Sequence, residues 1–302
     1  MKHVPVLERE ILHILAPLEG ETVLDCTLGL GGHAAAFLRA TAPDGHLVGL
    51  DADRENLAVA AQRLALFDNR IDLRCMNFRD AGVLTMSSFD IVFADLGLSS
   101  PHVDDPGRGF TFRTPAPLDL RYDRSGGQTA AELLRSTSED GITKILQNFG
   151  ELPRSRSLAR TLHAHFRSTS CTGTTDDVVH CVTRIFTYRA PAVLPQVFQA
   201  LRIAVNDELG ALQSLLNAVP VLLKPGGRCG IISYHSLEDR LVKRTFRSLA
   251  TPVLDERTGQ VARAASWNLL TRKGIVPSAQ EVAHNPRSRS ARFRALVFLT
   301  SH

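Results

Sequence analysis

The sequence predicts an α/β fold, a mostly parallel sheet with crossover helices interrupted by an all-helical insert. Three observations carry that prediction. Apolar runs ending in an acid recur at 23–25, 47–51 and 89–95. The first is followed by a glycine-rich turn, Cys26-Thr27-Leu28-Gly29-Leu30-Gly31-Gly32-His33, and then by an alanine-rich helical segment. From about 106 to 205 the alternation gives way to one helical stretch after another.

The first unit reads as strand, tight turn and helix, with the turn at a strand's C-terminal end. Glycines let the backbone approach a ligand, and a helix N-terminus supplies unpaired N–H groups. Residues 47–51 form a second strand, 54–67 a helix with Leu57, Ala60, Ala61 and Leu64 at helical spacing, and 71–76 a third strand. Residues 89–95 form a fourth. Strand–helix alternation implies parallel pairing, so Asp25, Asp51 and Asp95 fall along one sheet edge, where open α/β sheets bind ligands.

Helices are expected at 129–135, 138–148, 157–167, 176–187 and 196–205, with Ser138 and Thr175 as N-caps for two of them. Residues 206–219 return the chain to the sheet, and Lys224-Pro225-Gly226-Gly227 reads as a turn. A strand at 228–234, a helix at 237–249 and a final strand at 295–300 complete the core. The expected domains are therefore a discontinuous core, 1–105 and 206–302, and a helical insert at 106–205.

The turn admits two cofactor classes. Gly29-x-Gly31-x-x-Ala34, with Asp51 lying 22 residues after Gly29, fits a dinucleotide fingerprint. Yet Asp25 stands immediately before the turn, where it repels a pyrophosphate and attracts a cation. The sign favours S-adenosylmethionine, which carries a sulfonium, an ammonium and a ribose, over NAD. Asp51 is the expected acceptor for ribose hydroxyls, and Asp25 either faces the ammonium or orders the turn.

Composition fits a globular enzyme: 44% hydrophobic and 22% charged residues argue against extensive disorder. No apolar run approaches the ~18 residues of a membrane span, and the N-terminus lacks signal-peptide character, so a cytoplasmic protein without membrane association is expected. The five cysteines form no C-x-x-C pair; Cys26, Cys75 and Cys229 read as buried thiols, and no metal site is expected. Basic charge is local. Arg263, Arg272, Lys273, Arg287, Arg289, Arg292 and Arg294 stand against Glu281 alone, which suggests a polyanion-docking segment.

Eight motifs, in order, resemble one family nearly end to end. They are His3-Val4-Pro5-Val6-Leu7, the Asp25–His33 turn, Asp95-Leu96-Gly97-Leu98-Ser99-Ser100-Pro101 and Arg108-Gly109-Phe110-Thr111-Phe112, followed by Pro117-Leu118-Asp119-Leu120-Arg121. Phe198-Gln199-Ala200-Leu201-Arg202, His235-Ser236-Leu237-Glu238-Asp239-Arg240 and Asn285-Pro286-Arg287-Ser288-Arg289-Ser290 complete the set. The chain resembles the MraW (RsmH) family of bacterial small-subunit rRNA cytosine-N4 methyltransferases.

The resemblance implies a class I Rossmann-like methyltransferase sheet with a helical insert for substrate recognition. It implies methylation of the N4 amine of a decoding-centre (P-site) cytidine in 16S rRNA, a contribution to decoding fidelity, and a small ribosomal subunit as partner; a homodimer stays open. The family's cofactor residues carry onto Gly31, Gly32, His33, Asp51, Phe78 and Asp95, and onto His102, where the family commonly has glutamine. Residues 150–153 and 189–196 depart from the family pattern, so RNA contacts of the insert are not carried over.

For the chemistry, Asp95 lies nearest the meeting point of cofactor and base and serves one or the other. Ser100, Asp119 and His235 are further catalytic candidates. Each has a structural alternative: Asp119 as an ion-pair partner of Arg121, and His235 beside a Ser236-x-x-Asp239 capping box. Arg287, Arg289, Arg292 and Arg294 are candidate RNA contacts, or a charged hairpin guarding an edge strand. A methyltransferase with another acceptor, such as a different RNA nitrogen or a lipid, is the main competing reading, although no amphipathic apolar stripe suits a lipid. An NAD-linked oxidoreductase and a non-catalytic RNA-binding protein are further classes, and the acids at the turn weigh against both.

Overall fold

The computed structural model describes residues 5–84, 89–99, 102, 104–255 and 257–300. The chain opens with helix α1 (Glu8–Leu15) and strand β1 (Thr22–Asp25), then α2 (Gly32–Ala40), β2 (His46–Asp51), α3 (Arg54–Leu64), β3 (Ile71–Cys75) and β4 (Phe89–Asp95). Asp53 caps α3 by accepting the Glu55 N–H at 2.8 Å, whereas α2 starts at Gly31 (φ 74°) with no side-chain cap. An uncapped first turn leaves backbone donors for a ligand.

Helices α4 (Ala130–Ser136), α5 (Glu139–Gly150), α6 (Ser155–Phe166), α7 (Thr175–Phe186) and α8 (Ala190–Asn206) follow. Thr129 and Glu132 form a capping box on α4, and Ser138 caps α5 as expected. On α7 the cap is Thr174 rather than Thr175. Asp177 reaches back to the Thr174 N–H at 2.8 Å, while the buried Thr175 hydroxyl accepts the Ala116 N–H at 3.1 Å instead. The chain then runs through α9 (Glu208–Leu222), β5 (Leu223–Ser233), α10 (Ser236–Leu249), short strands β6 (Val253–Leu254), β7 (Val261–Arg263) and β8 (Trp267–Leu269), α11 (Ala279–His284) and β9 (Arg292–Phe298).

The main sheet has the order β3-β2-β1-β4-β5-β9-β8. Strands β1 to β5 pair in parallel, and β9 runs antiparallel to both β5 and β8. Alternate residues feed two cores. Leu24, Val48, Val92 and Cys229 face Leu212, Leu216, Val242 and Phe246, while Val23, Leu47, Ile91 and Ile232 face Ile11, Phe37, Leu38 and Leu64. Helices thus cover both faces, the condition for a buried parallel sheet. A separate core of Leu134, Ile142, Leu146, Leu158, Val178 and Leu201 holds the helices of the second of two compact units, Leu98–Leu209. The first unit is the sheet, up to Gly97 and from Gly210 on.

Three expectations change here. The expected turn at 224–227 is a bulge within β5: Leu223 pairs with Phe89 and Arg228 with Ile91, with Gly226 at φ 82°. Buried Leu223 draws the chain into the ladder before the glycines, not after them. The last strand begins at Arg292, because Phe293 is fully buried and pairs with Ile232. Cys26 and Cys229 are buried, but Cys75 is exposed at the tip of the edge strand β3. No helix among the described residues is long and apolar enough to cross a membrane.

Candidate active site

Strand order reverses between β1 and β4, and their C-terminal ends carry Asp25 and Asp95; β2 ends in Asp51. Ligands of open α/β sheets bind at such a switch point. Asp51 ties the turn to its own strand end. Its Oδ2 accepts the Gly29 N–H at 2.8 Å and its Oδ1 the Asp53 N–H at 2.8 Å. Asp25 is buried, and its Oδ1 accepts the Thr27 N–H at 3.1 Å. Its Oδ2 has no hydrogen-bond partner among the described residues. Burial pushes the Asp25 carboxyl up to about 7; His33 offsets part of this, while Asp95 and Asp51 add to it.

Asp95 is held through both its backbone and its carboxylate. Its N–H donates to Thr27 Oγ1 at 2.6 Å, fixing the end of β4 to the turn. The Tyr234 hydroxyl donates to Oδ1 at 2.9 Å. His33 Nε2 lies 3.5 Å from Oδ2, without hydrogen-bond alignment. Burial, reinforced by Asp95, raises the Tyr234 phenol well above its usual range, so it stays a donor. Gly97, at φ 106°, leaves room for the Tyr234 ring, which lies 3.1 Å from where a β-carbon would stand.

Sequence reasoning missed Tyr234 and its support, Glu238. The buried Glu238 carboxylate accepts the Tyr234 N–H at 2.8 Å. The local signal is the acid within the 235–240 motif, whose register lies one residue earlier than the Ser236-x-x-Asp239 pattern suggests. The α10 capping box uses His235 and Glu238, not Ser236 and Asp239. His235 Nδ1 takes the hydroxyl's part in the cap at 3.4 Å, and its Nε2 lies 3.2 Å from Glu238 Oε1 without good alignment.

The glycine turn is sterically committed. A β-carbon on Gly32 would stand 2.9 Å from Pro5 Cγ, so the chain before α1 closes over the start of α2. Gly32→Ala is therefore expected to weaken S-adenosylmethionine binding by about 10-fold or more, through displacement of this turn. Calorimetric titration measures it, and unchanged affinity would show that the turn tolerates the shift. Phe78 is half-buried at the start of a 3₁₀ turn after β3, packed against the sheet core.

Two other candidates lie in the helical unit. Asp119 is buried and receives Arg121 Nε at 2.6 Å and Nη2 at 3.0 Å, the ion-pair alternative. His102 is buried beside Tyr122 and Phe110, with ring centroids 5.2 and 5.4 Å away, and its Nδ1 lies 3.0 Å from Ser99 Oγ. Ser100 lies outside the described residues.

The C-terminal arginines divide. Arg287 and Arg289 are exposed on a 3₁₀ turn. Arg294 is buried within β9 and forks onto Asp239 at 2.7 and 3.1 Å, and Arg292 Nε lies 3.8 Å from the same carboxylate. Asp239, expected as a cap, is thus the partner of Arg294. Arg294→Ala is expected to cost about 2–3 kcal/mol by stranding a partly buried carboxylate, read from urea unfolding. RNA affinity should be unchanged.

The donor set fits a cationic, ribose-bearing cofactor. Carboxylates end the three strands, a buried oxygen of Asp25 lacks a partner, and the first turn of α2 is uncapped. Sheet order, antiparallel β9 and this edge define a class I methyltransferase. The chain belongs to the MraW methylase family, whose model matches residues 1–298, and its cofactor is S-adenosylmethionine. It is 43% identical to the ribosomal RNA small subunit methyltransferase H of Syntrophotalea carbinolica, over 98% of this chain and 97% of that one. The protein of the same name from Thermomicrobium roseum is 41% identical, over 97% and 92%. Among solved structures, an S-adenosylmethionine-dependent O-methyltransferase from Thermotoga maritima matches with a TM-score of 0.45 at 11% identity, covering all of this chain and 69% of that one.

Proposed function

We propose that this protein methylates the exocyclic N4 amine of a decoding-centre cytidine, in the P-site region of 16S rRNA. The observation that carries the reading is the Asp95 carboxylate, oriented by the Tyr234 hydroxyl beside the glycine turn. The relatives named above act, by their names, on small-subunit ribosomal RNA, and the eight motifs support the same acceptor. Such an enzyme works in the cytoplasm, on 16S rRNA within the small subunit, and its modification supports decoding fidelity. The helical unit is the proposed RNA-recognition element, since a target base in structured RNA must be splayed out to reach the cofactor.

S-adenosylmethionine supplies an electrophilic methyl group on a cationic sulfur. Asp51 would hold the ribose hydroxyls, the unpartnered Oδ2 of Asp25 would hold the ammonium, and Gly31, Gly32 and His33 would line the approach. The amine nitrogen is a poor nucleophile because its lone pair is shared with the ring. Asp95 accepts a hydrogen bond from the N4 amine, favouring pyramidalisation, and takes the proton released once nitrogen carries the methyl. With Oδ1 engaged by Tyr234, Oδ2 is the oxygen for that bond. In-line geometry supplies much of the remaining rate.

The test is methyl transfer from labelled S-adenosylmethionine to small subunits lacking the modification, followed by nucleoside mass spectrometry. Label in N4-methylcytidine at the decoding centre is the expected result. Cofactor binding with label in another nucleoside would move the acceptor, and binding with no label would remove it.

A further inference from the structure

We infer that the groove between α6 and α7 in the helical unit is a binding site for the phosphodiester backbone of single-stranded RNA, with Tyr188 as a stacking platform for a base beside it. This inference rests on the proposed rRNA acceptor and names where the helical unit would grip it. The groove has a volume of about 370 Å³ and is lined by Arg160, Thr161, Ala164, His165 and Arg184. Arg160 comes from α6 and Arg184 from α7, so a phosphate in the groove would meet a guanidinium from each helix.

Neither arginine is committed elsewhere. Arg160 is exposed, and its one ion pair, Glu139 Oε1 at 3.6 Å, is long and solvated, worth little. No acidic side chain pairs with Arg184 among the described residues. His165 is fixed from behind by Asp177, Nε2 to Oδ1 at 2.6 Å.

The surrounding charge is predominantly basic. Between 153 and 190 the arginines are Arg154, Arg156, Arg160, Arg167, Arg184 and Arg189, and the acids are Asp176 and Asp177. Asp177 is spent on His165, Thr172 and Thr174, which leaves Asp176 as the exposed acid of the segment. Tyr188, in the turn just after α7, is 89% exposed, an unusual position for a large aromatic ring with nothing to cover it. Cationic grooves bordered by exposed aromatics are how proteins track a single strand: arginine forks take the phosphates and a ring takes a base. Of the C-terminal arginines, Arg294 and Arg292 are drawn onto Asp239, whereas Arg287 and Arg289 stay exposed.

The experiment uses the full chain and a fluorescein-labelled single-stranded RNA of decoding-centre sequence, titrated at several salt concentrations. Arg160→Ala/Arg184→Ala is expected to weaken binding about 10-fold near physiological salt. It should also flatten the slope of log K against log salt by about 1.4, roughly 0.7 per lost phosphate contact. Tyr188→Ala should weaken binding about 5-fold or more with its slope unchanged. Both variants should bind S-adenosylmethionine like the parent, which shows that they fold. Wild-type affinity and slope in the arginine variant would overturn the groove while leaving the acceptor standing. A parent protein that binds S-adenosylmethionine but neither binds nor methylates RNA would remove the acceptor and the groove together.

Discussion

Asp95→Ala is expected to lower the single-turnover rate of methyl transfer by about 10²–10⁴-fold at saturating cofactor and RNA, the usual range for losing a positioned proton acceptor. Tyr234→Phe should fall far less, by about 10-fold, because the carboxylate remains and only its orientation is lost. The two variants separate the roles that Asp95 can fill. If it receives the amine proton, both lower the rate at saturation and leave cofactor affinity within a few-fold of the parent. If it is a cofactor ligand, Asp95→Ala weakens S-adenosylmethionine binding while the rate at saturation holds. Calorimetric titration beside rapid-quench turnover distinguishes them, and the second pattern would sink the proton-acceptor assignment. Tyr234→Phe adds a control for mere structural damage. Its ring still packs against Gly97, so an unfolded variant would point to the hydroxyl as a folding element and not a positioning one.

What was legible in the chain follows the distance over which each interaction acts. Strand, acid, glycine turn and helix are contiguous in sequence, so the edge formed by Asp25, Asp51 and Asp95 could be read from pattern alone. The helices of the insert and the Ser138 cap were legible for the same reason. Tyr234 was not, because its partner is 139 residues away and nothing local marks a tyrosine at a strand end as a carboxylate clamp. Asp239 and Arg294, 55 residues apart, meet only because β9 lies beside β5, so in sequence this partly buried ion pair reads as a helix cap and an RNA-facing charge. The His235 cap was misread by one residue because serine is the commoner N-cap. An imidazole nitrogen does the same work here. Strands β6 to β8 are too short to carry a period.

Asp25→Asn is expected to make the cofactor-free protein more stable at pH 8 while weakening S-adenosylmethionine binding. In the folded protein the carboxyl sits near pH 7, against 3.8 for the free side chain. The folded state therefore holds the proton more tightly than the unfolded one. This group's contribution is fully favourable below about 4, declines as pH rises through the window from about 4 to about 7, and is lost above it. At about 1.4 kcal/mol per pH unit the cost of ionising it reaches a ceiling of roughly 4 kcal/mol. Asparagine is the neutral isostere and keeps an oxygen for the Thr27 N–H, so it should remove that slope and raise Tm at pH 8 by several degrees.

Cofactor affinity should behave oppositely. An ionised Asp25 buried without a second partner is unfavourable until a cation arrives, so the parent should lose affinity for S-adenosylmethionine as pH falls below about 7. The variant should bind more weakly with no such dependence. Thermal melts from about pH 4 to about 8.5, and titrations over about 1.5 units either side of about 7, check both halves. A variant no more stable than the parent, with the parent's pH profile of binding, would mean that Asp25 merely orders the turn. The expected pair of results would instead identify it as a charge held at a cost to the empty fold and offset when the cofactor's own charge is bound.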